Sequence, residues 1–320
     1  MRQGITGRSK YVDIKGGGIV KTNAKKVAFI SDVHGNSAGL EAVLQDIEHY
    51  QVDELISLGD MFIGVDPRGV ITLLREWIAE HHVHFTGIKG NAESYLLTPH
   101  REQLPEYGLD WAEPVANIVD WCESRLTKEE LAWIRSWPLI SRWQNACLVH
   151  DSPLDRIQVE TASNPLLRPE HREWFFHGPG IAHDLSAVAQ EPFFAYMEEN
   201  DYAYLFCGHS HQPFVYEKAG RVICSTGSAG ASLDGNWRPA WVLLDTSLGG
   251  AESISIHRVE YDLTKIYRLI DENPDYPSLM ERPGMAQAFK KWYTTGYYWA
   301  VFIPGMLPDF ELGFEVEDIE

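Results

Sequence analysis

No stretch of this 320-residue chain approaches the roughly 18 consecutive apolar residues that a membrane helix requires, so no membrane span is expected. The amino terminus, Met1-Arg2-Gln3-Gly4-Ile5-Thr6, has no apolar core of the secretory type. Cysteine is scarce. Cys122, Cys147, Cys207 and Cys224 form no C-x-x-C pair, and three of them lie in or beside apolar runs. Reduced, buried thiols in a cytoplasmic protein are expected rather than disulfides. Positive charge is also short: 27 Lys and Arg stand against 46 Asp and Glu, a formal net charge of −19. That argues against the basic face needed to grip duplex nucleic acid through its phosphates. It does not exclude an anionic substrate, because bound divalent cations invert the local field. No internal repeat is present.

What the chain does have is a regular succession of apolar runs. Lys26-Val27-Ala28-Phe29-Ile30 reads as a strand buried on both faces. Ser37 is placed to cap a helix whose Leu40, Val43, Leu44 and Ile47 form one stripe. A second strand, Leu55-Ile56-Ser57-Leu58, precedes a helix that starts near Pro67 and turns Val70, Ile71, Leu74, Trp77 and Ile78 inward. His84-Phe85-Thr86-Gly87-Ile88 supplies the third strand of an α/β opening. Residues 1–24 are polar and Gly-rich and read as a flexible lead-in. Residues of about 92–145 read as a helical insertion, with Thr127 and Glu130 in a capping-box pattern. A second insertion, about 152–200, is rich in proline and carries His171, His177 and His183. Strands then return at Tyr204–Cys207, Arg221–Cys224, Trp241–Leu244 and Ile254–Val259, and their short spacing predicts antiparallel pairing. Residues 276–320 form a C-terminal extension.

Five short polar motifs end these apolar runs: Ser31-Asp32-Val33-His34-Gly35-Asn36, Leu58-Gly59-Asp60, Lys89-Gly90-Asn91, Leu148-Val149-His150 and Cys207-Gly208-His209-Ser210-His211. Carboxylate, imidazole and side-chain amide are ligands that suit divalent first-row metals. Asp32 and His34, one residue apart, can be aimed at one ion by a turn after their strand, whereas the alternating His209 and His211 can serve two. Asp60 has two carboxylate oxygens and could bridge a pair of ions. Asn91 adds a neutral oxygen. Gly35, Gly59, Gly90 and Gly208 permit tight turns beside these ligands. Ligands at carboxyl ends of strands sit where α/β proteins place their sites.

The ordered set resembles the calcineurin-like metallophosphoesterases, whose motifs run D-x-H, G-D, G-N-x, H and G-H-x-H. A small bacterial and archaeal phosphodiesterase-like branch is the nearer likeness. Gly59–Pro67, Val149-His150-Asp151-Ser152-Pro153, Ser225–Gly230, Asp234-Gly235 and Arg238 carry it, and it spans about residues 26–270. The resemblance implies a four-layer α/β/β/α sandwich with helical cap insertions, its domain covering 25–275. It implies one ion held by Asp32, His34, Asp60 and His211, and a second by Asp60, Asn91, His150 and His209. Two divalent ions (Mn, Fe, Zn, Co or Ni) would activate a water or hydroxide to attack phosphorus in a small phosphate ester, nucleotide-derived esters among them. Asp32, Asp60, Asn91 and His150 would then form the catalytic set of a phosphoesterase, more readily a phosphodiesterase.

One departure bears on that chemistry. Relatives carry G-N-H-D or G-N-H-E, with the His as proton donor, and here the run is Gly90-Asn91-Ala92-Glu93. A general acid worth about 10²–10⁴-fold is missing from its usual place. Either the substrate has a good leaving group, or Glu93, His177 or His183 substitutes, or the protein is a weak or inactive metal-binding interaction scaffold of the same fold. Asp151, beside His150, is expected to face solvent, and Arg68 to be a surface residue rather than a phosphate clamp. The tryptophans of the insertions, among them Trp111, Trp121, Trp133, Trp137, Trp143 and Trp174, are expected to fill a helical core more readily than to stack a nucleobase.

Overall fold

The structure is a computed structural model and describes residues 11–14, 18–21, 25–97, 112–151, 153, 191–280 and 284–296. Within the lead-in, β1 (Tyr11–Ile14) and β2 (Gly18–Lys21) pair as an antiparallel hairpin. The architecture follows from alternation along β3 (Lys26–Ile30), where Val27 and Phe29 enter one core while Ala28 and Ile30 enter another. A strand with two apolar faces must be covered on both.

On β3 is built a five-stranded sheet. β4 (Glu54–Ser57) and β5 (His84–Gly87) extend it in parallel, while β11 (Ala240–Asp245) and then β12 (Ile254–Arg258) add antiparallel on the other side. The second sheet has the order β6-β7-β8-β10-β9, from Ile140–Trp143, Ala146–Val149, Tyr204–Cys207, Arg221–Thr226 and Pro213–Lys218 respectively. The sheets meet through Val27, Phe29, Ile56, Leu148, Phe206 and Val242, with Phe29 stacked on Phe206 at 4.0 Å between ring centroids. Full burial of each such phenyl ring is worth about 1.5–3 kcal/mol.

Helices cover the outer faces. α1 (Ser37–Glu48) and α2 (Pro67–His81) pack on the first sheet together with α7 (Leu263–Glu272), the short α8 (Pro277–Met280) and α9 (Met285–Thr295). Phe193, Tyr196 and Met197 of α6 (Glu191–Glu199) cover the second. The expected four-layer α/β/β/α order is the one observed.

Three local expectations change. Asn36, not Ser37, caps α1 by accepting from the Gly39 N–H at 2.9 Å, while the Ser37 hydroxyl donates to Asp66. The helical insertion comprises α3 (Asn91–Leu97), α4 (Ala112–Ser124) and α5 (Lys128–Arg135) and stops before β6, so Trp143 belongs to a strand. The later strands are not uniformly antiparallel: β8 runs parallel to both β7 and β10. The reason is an extra strand, β9, which reverses the chain between β8 and β10 through a turn at Ala219 and Gly220, both at positive φ. Among the described residues, no helix is long and apolar enough to cross a membrane, and all four cysteines are buried and outside disulfides.

Candidate metal centre

Every motif residue emerges from the carboxyl end of a strand. Asp32 and His34 follow β3, Asp60 follows β4, Asn91 opens α3 just past β5, His150 follows β7, and His209 and His211 follow β8. The structure gathers them into two groups. Ligand atoms of Asp32, His34 and His211 lie within 4.8 Å of one another, as do those of Asp60, His150 and His209. Asn91 joins the second group, its Oδ1 lying 3.0 Å from His150 Nε2. Asp60 stands between the groups: its Oδ2 is 3.6 Å from His34 Nε2 and 3.4 Å from His150 Nε2.

Hydrogen bonds fix the tautomer of two of the imidazoles. His150 Nδ1 donates to the Leu58 carbonyl at 2.7 Å, and His211 Nδ1 donates to the Ala231 carbonyl. Each Nε2 therefore carries a lone pair. That lone pair faces a carboxylate oxygen in both cases: His211 Nε2 lies 3.4 Å from Asp32 Oδ1, and His150 Nε2 lies 3.4 Å from Asp60 Oδ2. Asp32 Oδ1 is buried and accepts no hydrogen bond. His34 Nε2 also lies 3.1 Å from His211 Nε2, and nitrogen and carboxylate atoms converging on one point are in the arrangement a cation would satisfy.

The electrostatics agree. Burial pushes the imidazoles of His34 and His211 down to about 4, so both are neutral near pH 7, the form that binds metal. Burial raises the Asp32 carboxyl. It also works to raise Asp60, but the adjacent His150 and His34 and the Ala92 N–H outweigh it and hold that carboxyl below its usual range.

Glu93, considered above as a stand-in proton donor, is committed elsewhere. Its carboxylate is fully buried and accepts from the backbone N–H groups of Asp60 (2.8 Å), Met61 (2.8 Å) and Gly90 (2.9 Å). It thus ties the Asp60 loop to the Gly90 turn from beneath. Ala92 is buried and donates its own N–H to Asp60 Oδ1 at 2.8 Å. His171, His177 and His183, with Trp111 and Trp174, lie outside the described residues.

The backbone at the site departs from ordinary geometry. Asp32, His34, Asp60, His209 and His211 all have positive φ, between 48° and 65°. Such conformations cost about 1–3 kcal/mol each and persist where surroundings impose them. Here the Asp32 N–H donates to the Gly59 carbonyl (2.9 Å), His34 N–H to the Asp60 carbonyl (3.0 Å), and Gly35 N–H to the Met61 carbonyl (3.0 Å). Of the flanking glycines, Gly59 needs its φ of +101°, whereas Gly90 is required by space. A Cβ on Gly90 would overlap Asp60 Oδ1 and sit 2.6 Å from Asp60 N. Gly90→Ala is accordingly expected to destabilise the fold by about 1–3 kcal/mol. It should also weaken divalent-metal binding at least about tenfold, both readable by denaturant unfolding and Mn²⁺ titration.

Composition and spacing did not single out one contributor. The Ser228 hydroxyl donates to the Asp32 carbonyl at 2.6 Å and accepts from the Gly230 and Ala231 N–H groups. It joins the loop under His211 to the turn that carries Asp32. Other expectations resolve simply. Arg68 donates to Glu130 at 2.6 Å, linking α2 to α5. Asp151, expected to face water, has Oδ1 buried. Trp133 and Trp137 pack on each other and on Phe85, and Trp121 packs on Tyr276, which is core filling.

Comparison with known proteins agrees with this geometry. A family profile described as the calcineurin-like phosphoesterase superfamily domain matches residues 26–248. An uncharacterized protein of Methanocaldococcus jannaschii is 26% identical over 264 residues, covering 77% of this chain and 92% of that protein. A crystal structure of a metallophosphoesterase from Sphaerobacter thermophilus superposes with a TM-score of 0.58 at 23% identity, over 85% of this chain and 99% of the other. A hypothetical protein from Pyrococcus horikoshii does so with a TM-score of 0.61 at 19% identity, over 80% and 94%. With its motif residues assembled at the sheet ends and that match over most of its length, the chain belongs to the calcineurin-like phosphoesterase superfamily.

Proposed function

We propose that the protein hydrolyses small phosphate esters at a centre of two divalent ions, diesters more readily than monoesters. The observation that carries this reading is the position of Asp60 Oδ2, within 3.6 Å of a histidine nitrogen from each ligand group. One carboxylate so placed would serve both ions. When bound, such a pair of ions neutralises phosphoryl charge and lowers the pKa of a coordinated water.

The chain's own residues set up the rest. Imidazoles ligate metal in their uncharged form, so the histidines and the Asn91 amide would contribute no charge, and Asp32 and Asp60 contribute the two carboxylates of the ligand set. Two dications against two carboxylates leave a positive centre inside an acidic protein. That favours a small anionic ester, nucleotide-derived ones included, over a duplex that would meet the acidic surface. In the reaction water adds its oxygen to phosphorus, the bond to the ester oxygen breaks, and the leaving alkoxide takes up a proton. With Ala92 in the donor position and Glu93 engaged by three N–H groups, the centre suits esters whose alcohol leaves easily. The nitrogen and oxygen donors suit Mn, Fe, Zn, Co or Ni. Four buried free thiols suit a reducing, cytoplasmic setting.

The test is hydrolysis of bis-p-nitrophenyl phosphate and p-nitrophenyl phosphate after chelation and again with added Mn²⁺. Turnover is expected to vanish on chelation, return with Mn²⁺, and be about tenfold faster on the diester. Silence on both substrates with metal bound would instead support an interaction scaffold.

A further inference from the structure

We infer that the C-terminal helix α9 is part of the metal centre's scaffold, and that Trp292 is a positioning residue for His211. The inference rests on the metal-centre reading above and extends it to residues beyond the family match, which ends at residue 248.

Residues 227–239 link β10 to β11 without regular structure. The carbonyl that orients His211 belongs to this link, at Ala231. A loop carbonyl holds an imidazole only as firmly as the loop itself is held. On the site side Ser228 and Asn36 anchor it, the latter donating to the Gly230 carbonyl at 2.8 Å. The opposite side is anchored by two other elements. Arg258 of β12 donates to the Arg238 carbonyl at 2.8 Å and pairs with Asp234.

α9 provides the second anchor. The indole N–H of Trp292, a residue only 1% exposed, donates to the Ser232 carbonyl at 2.9 Å. That carbonyl is the next one along from Ala231. At the end of the helix, the Gly235 N–H donates to the Gly296 carbonyl at 2.9 Å. A Cβ on Gly296 would come within 2.6 Å of the Asn236 carbonyl carbon, so the helix end and the loop are in direct backbone contact. Two hydrogen bonds and close packing from α9 therefore fix the peptide that points His211 Nε2 into the first ligand group. Simple core packing by Trp292 would not require its N–H to reach the residue next to the ligand's own partner.

The experiment compares the full-length chain with Trp292→Phe and Trp241→Phe. Trp241 is a matched control. It is also fully buried, and its indole donates to Asp46 at 2.8 Å at the far end of α1. Metal-free proteins are titrated with Mn²⁺ and free ion is followed by electron paramagnetic resonance, with His211→Ala marking which site is affected. Trp292→Phe is expected to weaken one of the two ions about 3–10-fold, below the 10–100-fold of a direct outer-shell partner, and to leave the other unchanged. Trp241→Phe should leave both unchanged at a comparable loss of thermal stability. Gly296→Ala, which pushes the helix end off the loop, should repeat the Trp292→Phe effect and serves if that variant does not fold. Unaltered affinity in both α9 variants, or equal weakening in Trp241→Phe, would overturn the inference. Absence of Mn²⁺ binding by the unmodified chain would instead overturn the metal-centre reading itself.

Discussion

Asp60→Asn is expected to lower phosphoester turnover at least about a thousandfold while leaving the fold intact. Loss of a shared carboxylate removes several kcal/mol of charge stabilisation from the centre, and each 1.36 kcal/mol is a factor of ten in rate. The structure explains why the fold should survive. Asp60 Oδ1 accepts from the Ala92 N–H, and an amide oxygen in that place keeps the bond. The other position would become an NH₂ group facing the Nε2 atoms of His34 and His150, at 3.6 and 3.4 Å in the parent. The His150 nitrogen can accept from it, since His150 Nδ1 donates to the Leu58 carbonyl. The metal-free variant should thus be as stable as metal-free parent, or more so, whereas Mn²⁺ should stabilise the parent far more than the variant. Thermal unfolding with and without Mn²⁺, beside the hydrolysis assay, reads both effects. Full turnover in Asp60→Asn would sink the two-ion proposal.

Glu93→Ala should be the most destabilising of the single changes considered. It leaves the N–H groups of Asp60, Met61 and Gly90 without their acceptor in a fully buried place. Each orphaned donor costs about 1–3 kcal/mol, so the loss is at least about 3 kcal/mol. That is a large share of a typical total of about 5–15 kcal/mol. At about 1.5 °C per kcal/mol for a chain of this size, the melting temperature falls by at least about 4–5 °C. Glu93→Gln keeps one acceptor oxygen for the Asp60 and Gly90 N–H groups and turns an NH₂ toward Met61, so it should lose about 1–3 kcal/mol. A proton donor would behave differently: Glu93→Gln would leave stability unchanged and slow turnover chiefly on poor leaving groups. The two variants, melted and assayed on esters of graded leaving-group strength, separate these roles.

Much of this candidate site is legible in the amino-acid sequence. Each candidate ligand lies just past an apolar run, and strand ends place residues in space with little ambiguity. Val27 to Ile30 predicted a strand covered on both faces, and each face found its own core. The N-terminus of α2 at Pro67 and the capping box of Thr127 and Glu130 are written in local side-chain chemistry and were observed as expected. What local chemistry could not convey was long-range. The strand β9 begins with Pro213, a residue that argues against a strand interior, and its short run Phe214-Val215-Tyr216 is only half-buried; without it the direction of β10 relative to β8 cannot be inferred. The role of Glu93 depends on three backbone donors brought together by separate turns. Nothing in composition signals the positive φ values of Asp32, His34, Asp60, His209 and His211, because they are imposed by neighbouring strands. The carbonyl beneath His211 belongs to a loop 20 residues further along the chain.

The two ligand groups also differ from the sheets in one respect that affects how the protein would respond to change. Asp32 and His34 come from the sheet of β3, but their partner His211 comes from the sheet of β8. Asp60 comes from the first sheet, and its partners His150 and His209 from the second. Each ion would therefore act as a clasp across the seam between two separately hydrogen-bonded layers, closing the same edge twice. Phe29 stacks on Phe206 in that seam, each three residues ahead of a site residue, Asp32 and His209 respectively. A change of volume in that seam moves both halves of both clasps at once. Mutations that look like ordinary packing changes between the sheets should therefore be felt first as lost metal.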